Sequence, residues 1–375
     1  MMERRKNLND KFGFVDSMKI KDFIDYEQPN GYIVESDRYN SKYSTPVLTA
    51  GQSFILGYTN ESKGVYEKGP CIIFDDFTTS VHYVDFPFKV KSSAMKILTT
   101  KSNADIKYCY YLLLSLSKMP PNHKRQWIST TSEKSYVLPS MDKQISIVKQ
   151  LDLISDTIAN YTNQIENLDN LVKARFIEMF GDININNKNW HTEHLGKLCN
   201  IVRGSSPRPI EKYLGGDIPW IKIGDATDED NIYLNSTKEH IIREGVNKSR
   251  FVKKGSLIFA NCGVSLGFAR IISFDGCIHD GWLALENIDY RLNKEFLLLS
   301  LNQLTDHFRI IAPSGTQPNL NIAIMQNFMQ VIPPMELQET FVSFRRHVDK
   351  SREEVKKSLE KTQQLYDSLM QKYFG

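Results

Sequence analysis

Residues 147–172 read IVKQLDLISDTIANYTNQIENLDNLV, with apolar or aromatic side chains recurring in alternating steps of four and three. The recurring residues are Ile147, Leu151, Ile154, Ile158, Tyr161, Ile165, Leu168 and Val172. This spacing predicts a helix with one narrow apolar seam. Pro139 and Gly181 are typical start and stop signals on either side. We therefore expect a helix over residues 141–179, about 58 Å long at 1.5 Å per residue.

A second copy of this segment ends the chain. VLPSMDKQ at residues 137–144 resembles VIPPMELQ at 331–338, and the same offset of 194 residues pairs the two segments up to the final FG. The second seam contains three polar residues and reads Phe341, Arg345, Val348, Arg352, Val355, Leu359, Thr362, Tyr366, Leu369 and Tyr373. We expect the two helices to bury their seams against each other as a coiled coil. The alternative is that each helix packs on its own domain, and periodicity does not set their relative direction.

The repeat divides the chain into four parts. We predict a first domain over residues 1–140, a long helix over 141–182, a second domain over 183–334 and a second long helix over 335–375. Short β-branched or aromatic runs predict strands in both domains, at residues 32–34, 45–49, 53–58, 71–74, 218–223, 256–260 and 268–272. Each domain also has one helical stretch, at 106–117 and 294–308. The expected fold class is α+β, with two β-rich duplicated domains separated by two long helices.

Composition restricts the class of protein further. The 375 residues are 41% apolar and 24% charged, which is typical of a folded chain and excludes a disordered scaffold. The net charge of +3 argues only weakly for a polyanionic partner. No apolar run is long enough to span a bilayer, and the five cysteines form no CxxC pair. We expect a soluble, cytoplasmic protein without a disulfide framework.

Motifs for catalysis are nearly absent from the sequence. It contains no phosphate-binding GxxxxGK[ST], no GxGxxG and no HExxH. A GxSxG string at residues 263–267 precedes a β-like run rather than a helix, which favours a strand connection over a nucleophile elbow. Surface positions and tight turns account better than metal binding or catalysis for the remaining candidates, His191, His194, Asp75, Asp76 and Cys262.

Three polar loops have side chains suited to a polyanion. NHKRQW at residues 122–127 combines cations, amides, a histidine and an indole. RGSSPRP at 203–209 and SGTQPN at 314–319 have small residues that would let backbone amides approach a phosphate. Each loop could equally be a solvated surface loop, and the patterns alone do not separate these interpretations.

The arrangement and its motifs together resemble the specificity subunit of type I restriction-modification systems, over nearly the whole chain. IIFDDFTTS at residues 72–80 with FPFKVKSSAM at 86–95 is similar to one subclass of its target-recognition domains. GSSPRP at 204–209, GDIPW at 216–220 and GTQPNL at 315–320 are similar to another. One departure is that the chain enters its first domain almost immediately, at residues 18–20, which leaves open how the ends of the pseudo-symmetric structure close.

The resemblance implies two DNA-recognition domains held apart by antiparallel helices that act as a ruler. It implies no catalytic residue, cofactor or metal on this chain. The implied partners are double-stranded DNA, two methyltransferase subunits and restriction subunits, and these subunits would carry S-adenosylmethionine, ATP and Mg²⁺.

Two sets of candidate residues follow from the loops and the seam. The DNA-binding candidates are Thr78, Thr79, Lys89, Lys91, His123, Lys124, Arg125, Gln126, Ser205, Ser206, Arg208, Lys222, Thr316 and Gln317. The candidates on the spacer helices are Ile147, Leu151, Ile154, Ile158, Tyr161, Ile165, Leu168, Val348, Val355, Leu359, Tyr366 and Leu369. Two other functions stay open at this stage, a diverged DNA methyltransferase or endonuclease and a protein-binding assembly factor.

Overall fold

The structure is a computed structural model that describes residues 14–49, 53–117, 125–227, 232–263, 265–313 and 318–375. The chain forms two compact units. Unit 1 comprises residues 1–163 and 356–375, and unit 2 comprises residues 164–355. The boundary between the units falls within both long helices, so each unit contains half of each helix.

Unit 1 is built mainly on antiparallel strands, and β3 and β7 form a parallel pair. Its four-stranded sheet has the order β2-β8-β5-β6, a three-stranded sheet has the order β4-β3-β7, and β1 pairs with β9. The strand bounds are β1 Phe14–Lys19, β2 Ile24–Glu27, β3 Thr45–Leu48, β4 Ile55–Thr59, β5 Cys71–Asp75, β6 Val81–Val84, β7 Lys89–Val90, β8 Met95–Thr100 and β9 Ser135–Pro139. β5 is buried along its whole length because both of its faces are covered by apolar side chains.

Unit 2 has a five-stranded sheet, β11-β19-β16-β17-β13, and a four-stranded sheet, β14-β12-β18-β15. The strands β10 and β20 pair antiparallel, as β1 and β9 do in unit 1. The strand bounds are β10 His191–His194, β11 Asn200–Arg203, β12 Leu214–Ile221, β13 Tyr233–Leu234, β14 Glu239–Ile241, β15 Arg250–Val252, β16 Leu257–Ala260, β17 Ala269–Ile272, β18 Gly276–Ile278, β19 Trp282–Glu286 and β20 Met329–Ile332.

The helices complete the pattern of the repeat. Their bounds are α1 Ile106–Leu116, α2 Met141–Phe180, α3 Leu195–Leu198, α4 Arg243–Val246, α5 Lys294–Gln303, α6 Thr305–Ile311, α7 Ile322–Asn327 and α8 Met335–Phe374. Both long helices begin where the sequence predicts. α2 ends one residue after the predicted Met179, and α8 ends at Phe374, one residue before the end of the predicted segment. Across the parts of the chain that the structure describes, none of the helices combines the length and apolar character needed to cross a membrane.

In unit 1, the first half of α2 packs antiparallel to the last turns of α8. Ile147 and Leu151 are buried in a core that Tyr366 and Leu369 contact. The Tyr373 hydroxyl donates a hydrogen bond to the side-chain oxygen of Gln150 at 2.9 Å. The predicted seam therefore packs the two helices against each other and against the domain core. Both arrangements considered from the sequence, helix on helix and helix on domain, occur together in unit 1.

In unit 2, the second half of α2 packs antiparallel to the first half of α8. Phe176 contacts Phe341 edge to face, with ring centroids 5.2 Å apart. Arg352, which interrupts the apolar pattern, is buried and lies 3.1 Å from the Asp169 carboxylate. Arg352, a polar residue of the seam, thus forms an ion pair between the two helices. Such pairs commonly fix the register of packed helices.

A buried glutamine locks each long helix to the small helix of its domain. Gln144 accepts a hydrogen bond from the backbone N–H of Asp105 and donates to the carbonyls of Asn103 and Pro139, at 2.8, 3.1 and 2.8 Å. Asp105 is the N-cap of α1, so the glutamine fixes where that helix begins. This contact is repeated in unit 2.

The equivalent residue in unit 2 is Gln338, 194 positions later. It accepts from the backbone N–H of Asn293 and donates to the carbonyls of Arg291 and Pro333, at 2.8, 2.9 and 2.7 Å. Asn293 is the N-cap of α5. Two copies of one side-chain lock support the duplication inferred from the sequence.

Two predicted elements differ from the structure. Residues 32–34 do not form a strand, because Pro29–Tyr32 folds as a 3₁₀ turn and Ile33 makes only an isolated bridge to Val90. The helix predicted over 294–308 is interrupted at Leu304, and a second helix, α6, continues to Ile311.

We predict that Gln338→Ala lowers the free energy of unfolding by about 3 kcal/mol, because three backbone groups lose their partners. Chemical denaturation of the full chain measures this change. Gln364→Ala, at an exposed position of α8, is the matched control and should have little effect. Equal stability of the two variants would contradict the proposed lock.

Candidate nucleic-acid interface

The turn between β5 and β6 is organised by the carboxylate of Asp75. It accepts hydrogen bonds from the backbone N–H of Phe77 at 2.8 Å and from the hydroxyl of Thr78 at 2.6 Å. Thr79 adopts a left-handed backbone conformation with φ of 61°, which is strained for a β-branched residue. Asp75 therefore shapes the turn, and the side chain that this turn leaves exposed is Thr78.

The neighbouring Asp76 connects this turn to the segment around Trp127. Its Oδ1 accepts hydrogen bonds from the backbone N–H groups of Gln126 at 3.1 Å and Trp127 at 2.9 Å. Its Oδ2 lies 3.2 Å from the ammonium of Lys96, and both side chains are fully buried. Lys96 also donates to Gln28 at 3.0 Å. Both aspartates therefore make structural contacts. This agrees with the sequence-based interpretation that Asp75 and Asp76 form a turn rather than a catalytic pair.

These contacts bring two of the predicted DNA-binding segments together. Arg125 is exposed and its Nε lies 4.0 Å from the carboxylate of Asp76. Gln126 and Thr79 are buried, so of this group Thr78 and Arg125 have the exposed side chains. His123 and Lys124 lie outside the described residues.

The two other lysine candidates of unit 1 have intramolecular partners. Lys89 is buried, lies 2.8 Å from the Glu61 carboxylate and donates to the carbonyl of Lys63 at 2.6 Å. Lys91 is half-exposed and pairs with Asp37. A buried ammonium cannot reach a DNA groove, so we leave Lys89 out of the candidate interface.

In unit 2, the loop after β11 is pinned by its serines. Ser205 Oγ donates to the carbonyl of Lys248 at 3.0 Å, and Ser206 Oγ donates to the carboxylate of Asp280 at 2.6 Å. A Cβ at Gly204 would lie 2.2 Å from the carbonyl oxygen of His279, so only glycine fits there. Both predicted serines therefore hold the loop, and the exposed donor beside them is Arg208.

Asp280 is the centre of this loop cluster, and sequence reasoning missed it. Besides Ser206, its carboxylate contacts Nε2 of His279 at 2.9 Å and lies 3.7 Å from the guanidinium of Arg208. Its backbone carbonyl accepts a hydrogen bond from Nε of Arg203 at 2.9 Å. No local pattern connects Asp280 to this loop, because Ser206 lies 74 positions and Arg203 77 positions before it.

The charges in this cluster alter its proton equilibria. Burial lowers the pKa of His279, and the nearby Asp280 carboxylate opposes this shift only in part. Partial burial raises the pKa of Asp280, but the Ser206 hydrogen bond and the neighbouring His279 and Arg208 side chains outweigh this effect, so the pKa of Asp280 lies below its ordinary value. At neutral pH the cluster therefore contains an aspartate anion beside a neutral histidine.

A third segment reaches the same region. The buried Asn261 donates a side-chain hydrogen bond to Asn319 at 3.1 Å, and its backbone N–H donates to the carbonyl of Gly281 at 3.0 Å. Asn319 belongs to the predicted GTQPNL loop, whose Thr316 and Gln317 lie outside the described residues. Through Asn261, the described part of the GTQPNL motif therefore lies near the 279–281 turn.

Lys222, the remaining candidate, lies at the end of β12. Its ammonium pairs with Glu239 and lies 5.8 Å from the ring centroid of Trp220. Trp220 packs edge to face with His279 at 5.7 Å, which puts Lys222 next to the same turn. This lysine is half-buried and partly neutralised by its partner.

The residues considered for catalysis show no catalytic arrangement where they are described. All five cysteines are free, and burial raises the pKa of Cys262. The strand β17 follows the GxSxG string, so Ser265 lacks the helix of a nucleophile elbow. Among the described residues, no histidine, cysteine, aspartate or glutamate cluster could hold a metal ion.

We predict that Asp76→Ala destabilises unit 1 by about 3–5 kcal/mol, because it leaves the Lys96 ammonium buried without a charged partner. Lys96→Met should cost less, since the remaining carboxylate keeps two backbone N–H donors. Denaturant unfolding of the full chain measures both. Asp142→Ala, an exposed acidic residue of α2, is the control. If Asp76→Ala is no more destabilising than this control, the buried pair does not support the turn.

Parts of this chain are similar in sequence to known proteins. The family described as type I restriction modification DNA specificity domain matches residues 187–363. The Escherichia coli type I restriction enzyme EcoR124I/EcoR124II specificity subunit is 37% identical over 245 residues, which are 62% of this chain and 60% of that protein. The Methanocaldococcus jannaschii MjaIX specificity subunit is 22% identical over 54% of this chain and 48% of that protein. The chain thus spans about half to three fifths of these curated relatives.

Solved structures show the same fold over more of the chain. The type I restriction-modification S subunit from M. genitalium has a TM-score of 0.63 at 17% identity and covers 98% of both chains. A chain from a study of complex assembly and conformational transition of the type I system has a TM-score of 0.56 at 16% identity, covering 94% of this chain and 97% of that one. Residues 187–363 of the chain therefore match the model of the type I restriction modification DNA specificity domain, and the chain shares its fold with solved type I restriction-modification S subunits.

Proposed function

We propose that this chain is a non-catalytic subunit that recognises DNA sequence. Each unit reads one half of a bipartite, asymmetric site, and the chain directs methyltransferase and endonuclease partners to it. The observation that carries the proposal is the convergence of two loops near the 279–281 turn: loop 204–209 contacts Asp280, and segment 318–320 pairs with Asn261, whose backbone bonds to Gly281. This convergence lies within the span that matches a DNA specificity domain.

The chemistry of the exposed side chains supports DNA as the ligand. Arg203 and Arg208 present guanidinium groups in unit 2, and Arg125 presents one near Asp76 in unit 1. Arginine can contact phosphates and can also pair bidentately with guanine in the major groove, where all four base pairs differ.

The partners and cofactors are part of the proposal. Double-stranded DNA, two methyltransferase subunits and restriction subunits would bind this chain, in the cytoplasm. S-adenosylmethionine, ATP and Mg²⁺ would be bound by those subunits. One of the similar solved chains comes from work on how a type I restriction-modification system assembles, which supports this assignment.

Two other functions predict different behaviour. A diverged methyltransferase or endonuclease would modify or cut DNA as a purified chain, and none of the comparisons supports it. A protein-binding assembly factor would show no sequence-dependent, salt-sensitive DNA binding.

We predict that Arg125→Ala and Arg208→Ala act on different halves of the DNA site. With the chain in complex with its methyltransferase partner, selection from a randomised duplex library should show one half relaxed by each variant and the other half unchanged. A lost base contact costs about 1–3 kcal/mol at one position. A lost phosphate contact instead weakens binding to all sequences and reduces its salt dependence.

Arg175→Ala is the matched control, because Arg175 pairs with Glu178 within its own helix. The same library selection tests Lys124→Ala and Gln317→Ala, the variants of the two other loop candidates. Unchanged selection by all four loop variants would show that these loops do not contact DNA.

We predict that lengthening both long helices by one turn changes the spacing between half-sites. Within unit 1, Gln150 pairs with Tyr373 and Ser155 with Tyr366, so the register there places residue 161 opposite 361. Inserting four residues after Tyr161 and four after Glu360 adds about 6 Å. At about 3.4 Å per base pair, the preferred spacer should grow by one or two base pairs with both half-sites unchanged.

Insertions of two residues at the same positions provide the control, because they rotate the seam and expose Ile165 and Leu168. We expect those variants to be less stable and to select DNA poorly. A spacer preference that stays constant while both half-sites are still read would show that the helices do not set the spacing.

A further inference from the structure

The carboxylate of Asp280 is held more firmly than a surface carboxylate usually is. Ser206 donates to it at 2.6 Å, and Nε2 of His279 lies 2.9 Å away. Nδ1 of the same ring accepts a hydrogen bond from the backbone N–H of Gly281 at 2.9 Å, which leaves the ring proton on Nε2 to donate to Asp280. Two side chains from different loops therefore fix the position of the carboxylate.

This fixed anion lies beside an exposed cation. The Arg208 guanidinium is 3.7 Å from the second carboxylate oxygen, although its side chain is 80% exposed. Nε of the exposed Arg203 is bound to the backbone carbonyl of Asp280. The structure thus directs Arg203, at the end of β11, and Arg208, in the loop after it, toward a single residue, while most of the Arg208 surface stays open to solvent.

A second pair in the same unit shows what an unanchored pair looks like. Arg243 lies 3.8 Å from Asp217, and both side chains are largely exposed, at 82% and 70%. Among the described residues, the Asp217 carboxylate has no further hydrogen-bond donor. Such exposed pairs contribute little, because each side chain keeps most of its conformational freedom. Asp280 differs because it is immobilised before any ligand arrives.

An immobilised carboxylate can orient an arginine for recognition. A guanidinium has five N–H donors in a rigid plane, so contact with Asp280 leaves outward donors for a planar acceptor such as the O6 and N7 edge of guanine. Fixing the side chain in advance reduces the entropy that binding must remove. The negative charge also lowers the attraction of the loop for phosphates at random sequences.

We propose that Asp280 is a positioning residue for sequence specificity, holding Arg208 in the orientation that reads one base pair of the half-site bound by unit 2. This inference rests on the proposed function as a DNA reader. It assigns Ser206 and His279 to holding Asp280 rather than to contacting DNA.

The experiment compares Asp280→Asn with Asp217→Asn, which removes the same charge beside an equally close arginine. The full chain, in complex with its methyltransferase partner, is used to select DNA from a randomised duplex library. Binding to the selected site and to unrelated duplex DNA is then measured at several salt concentrations. Arg208→Ala and the Asp280→Asn, Arg208→Ala double variant complete a cycle.

The proposal predicts that Asp280→Asn loses about tenfold in discrimination at the one base pair that Arg208→Ala also affects. Its affinity for unrelated DNA should stay constant or rise. The double variant should lose no more discrimination than Arg208→Ala alone, because both changes remove one contact. Asp217→Asn should leave discrimination unchanged.

Three results would overturn the inference: unchanged discrimination by Asp280→Asn, an equal effect of Asp217→Asn, or a uniform loss of binding at every position. The last would mean that Asp280 only supports the fold, and thermal melting of each variant identifies that case. If the wild-type complex selects no sequence, the proposed function itself fails, which is a distinct outcome.

Discussion

The antiparallel packing of α2 on α8 within each unit is the constraint on which the rest of the structure depends. In unit 1 the seam residues Ile147 and Leu151 are part of the domain core. In unit 2 the rings of Phe176 and Phe341 pack against each other between the two helices. Each seam begins beside a buried glutamine that fixes the N-terminus of a smaller helix. The helices therefore serve as part of both hydrophobic cores, and neither domain is complete without them.

Contacts with the β-rich domains also hold the described parts of the candidate loops. Buried carboxylates and small residues determine the shape of the loops, as Asp76 does in unit 1 and Gly204 does in unit 2. Among the described loop residues, Arg125 and Arg208 have exposed side chains that could contact a ligand. A protein that reads DNA requires this separation, because a donor selects one base only when the backbone behind it is fixed.

The periodic parts of the fold could be predicted from the sequence, and the contacts between distant segments could not. The seam was predictable because a coiled coil repeats its apolar positions, whereas the role of Arg352 depends on Asp169, which lies on the other long helix. The site was only partly predictable. Lysine is a residue type that commonly contacts DNA, but Lys89 is buried against Glu61. The contact partners of Asp280 are distant in the sequence, so no local pattern reveals them.

The methylation pattern of DNA from cells that produce this chain with a methyltransferase partner tests the central claim most directly. The account predicts one bipartite, asymmetric motif in which two short specified halves flank a gap of constant length. A continuous motif would contradict the account, and so would methylation that is independent of this chain.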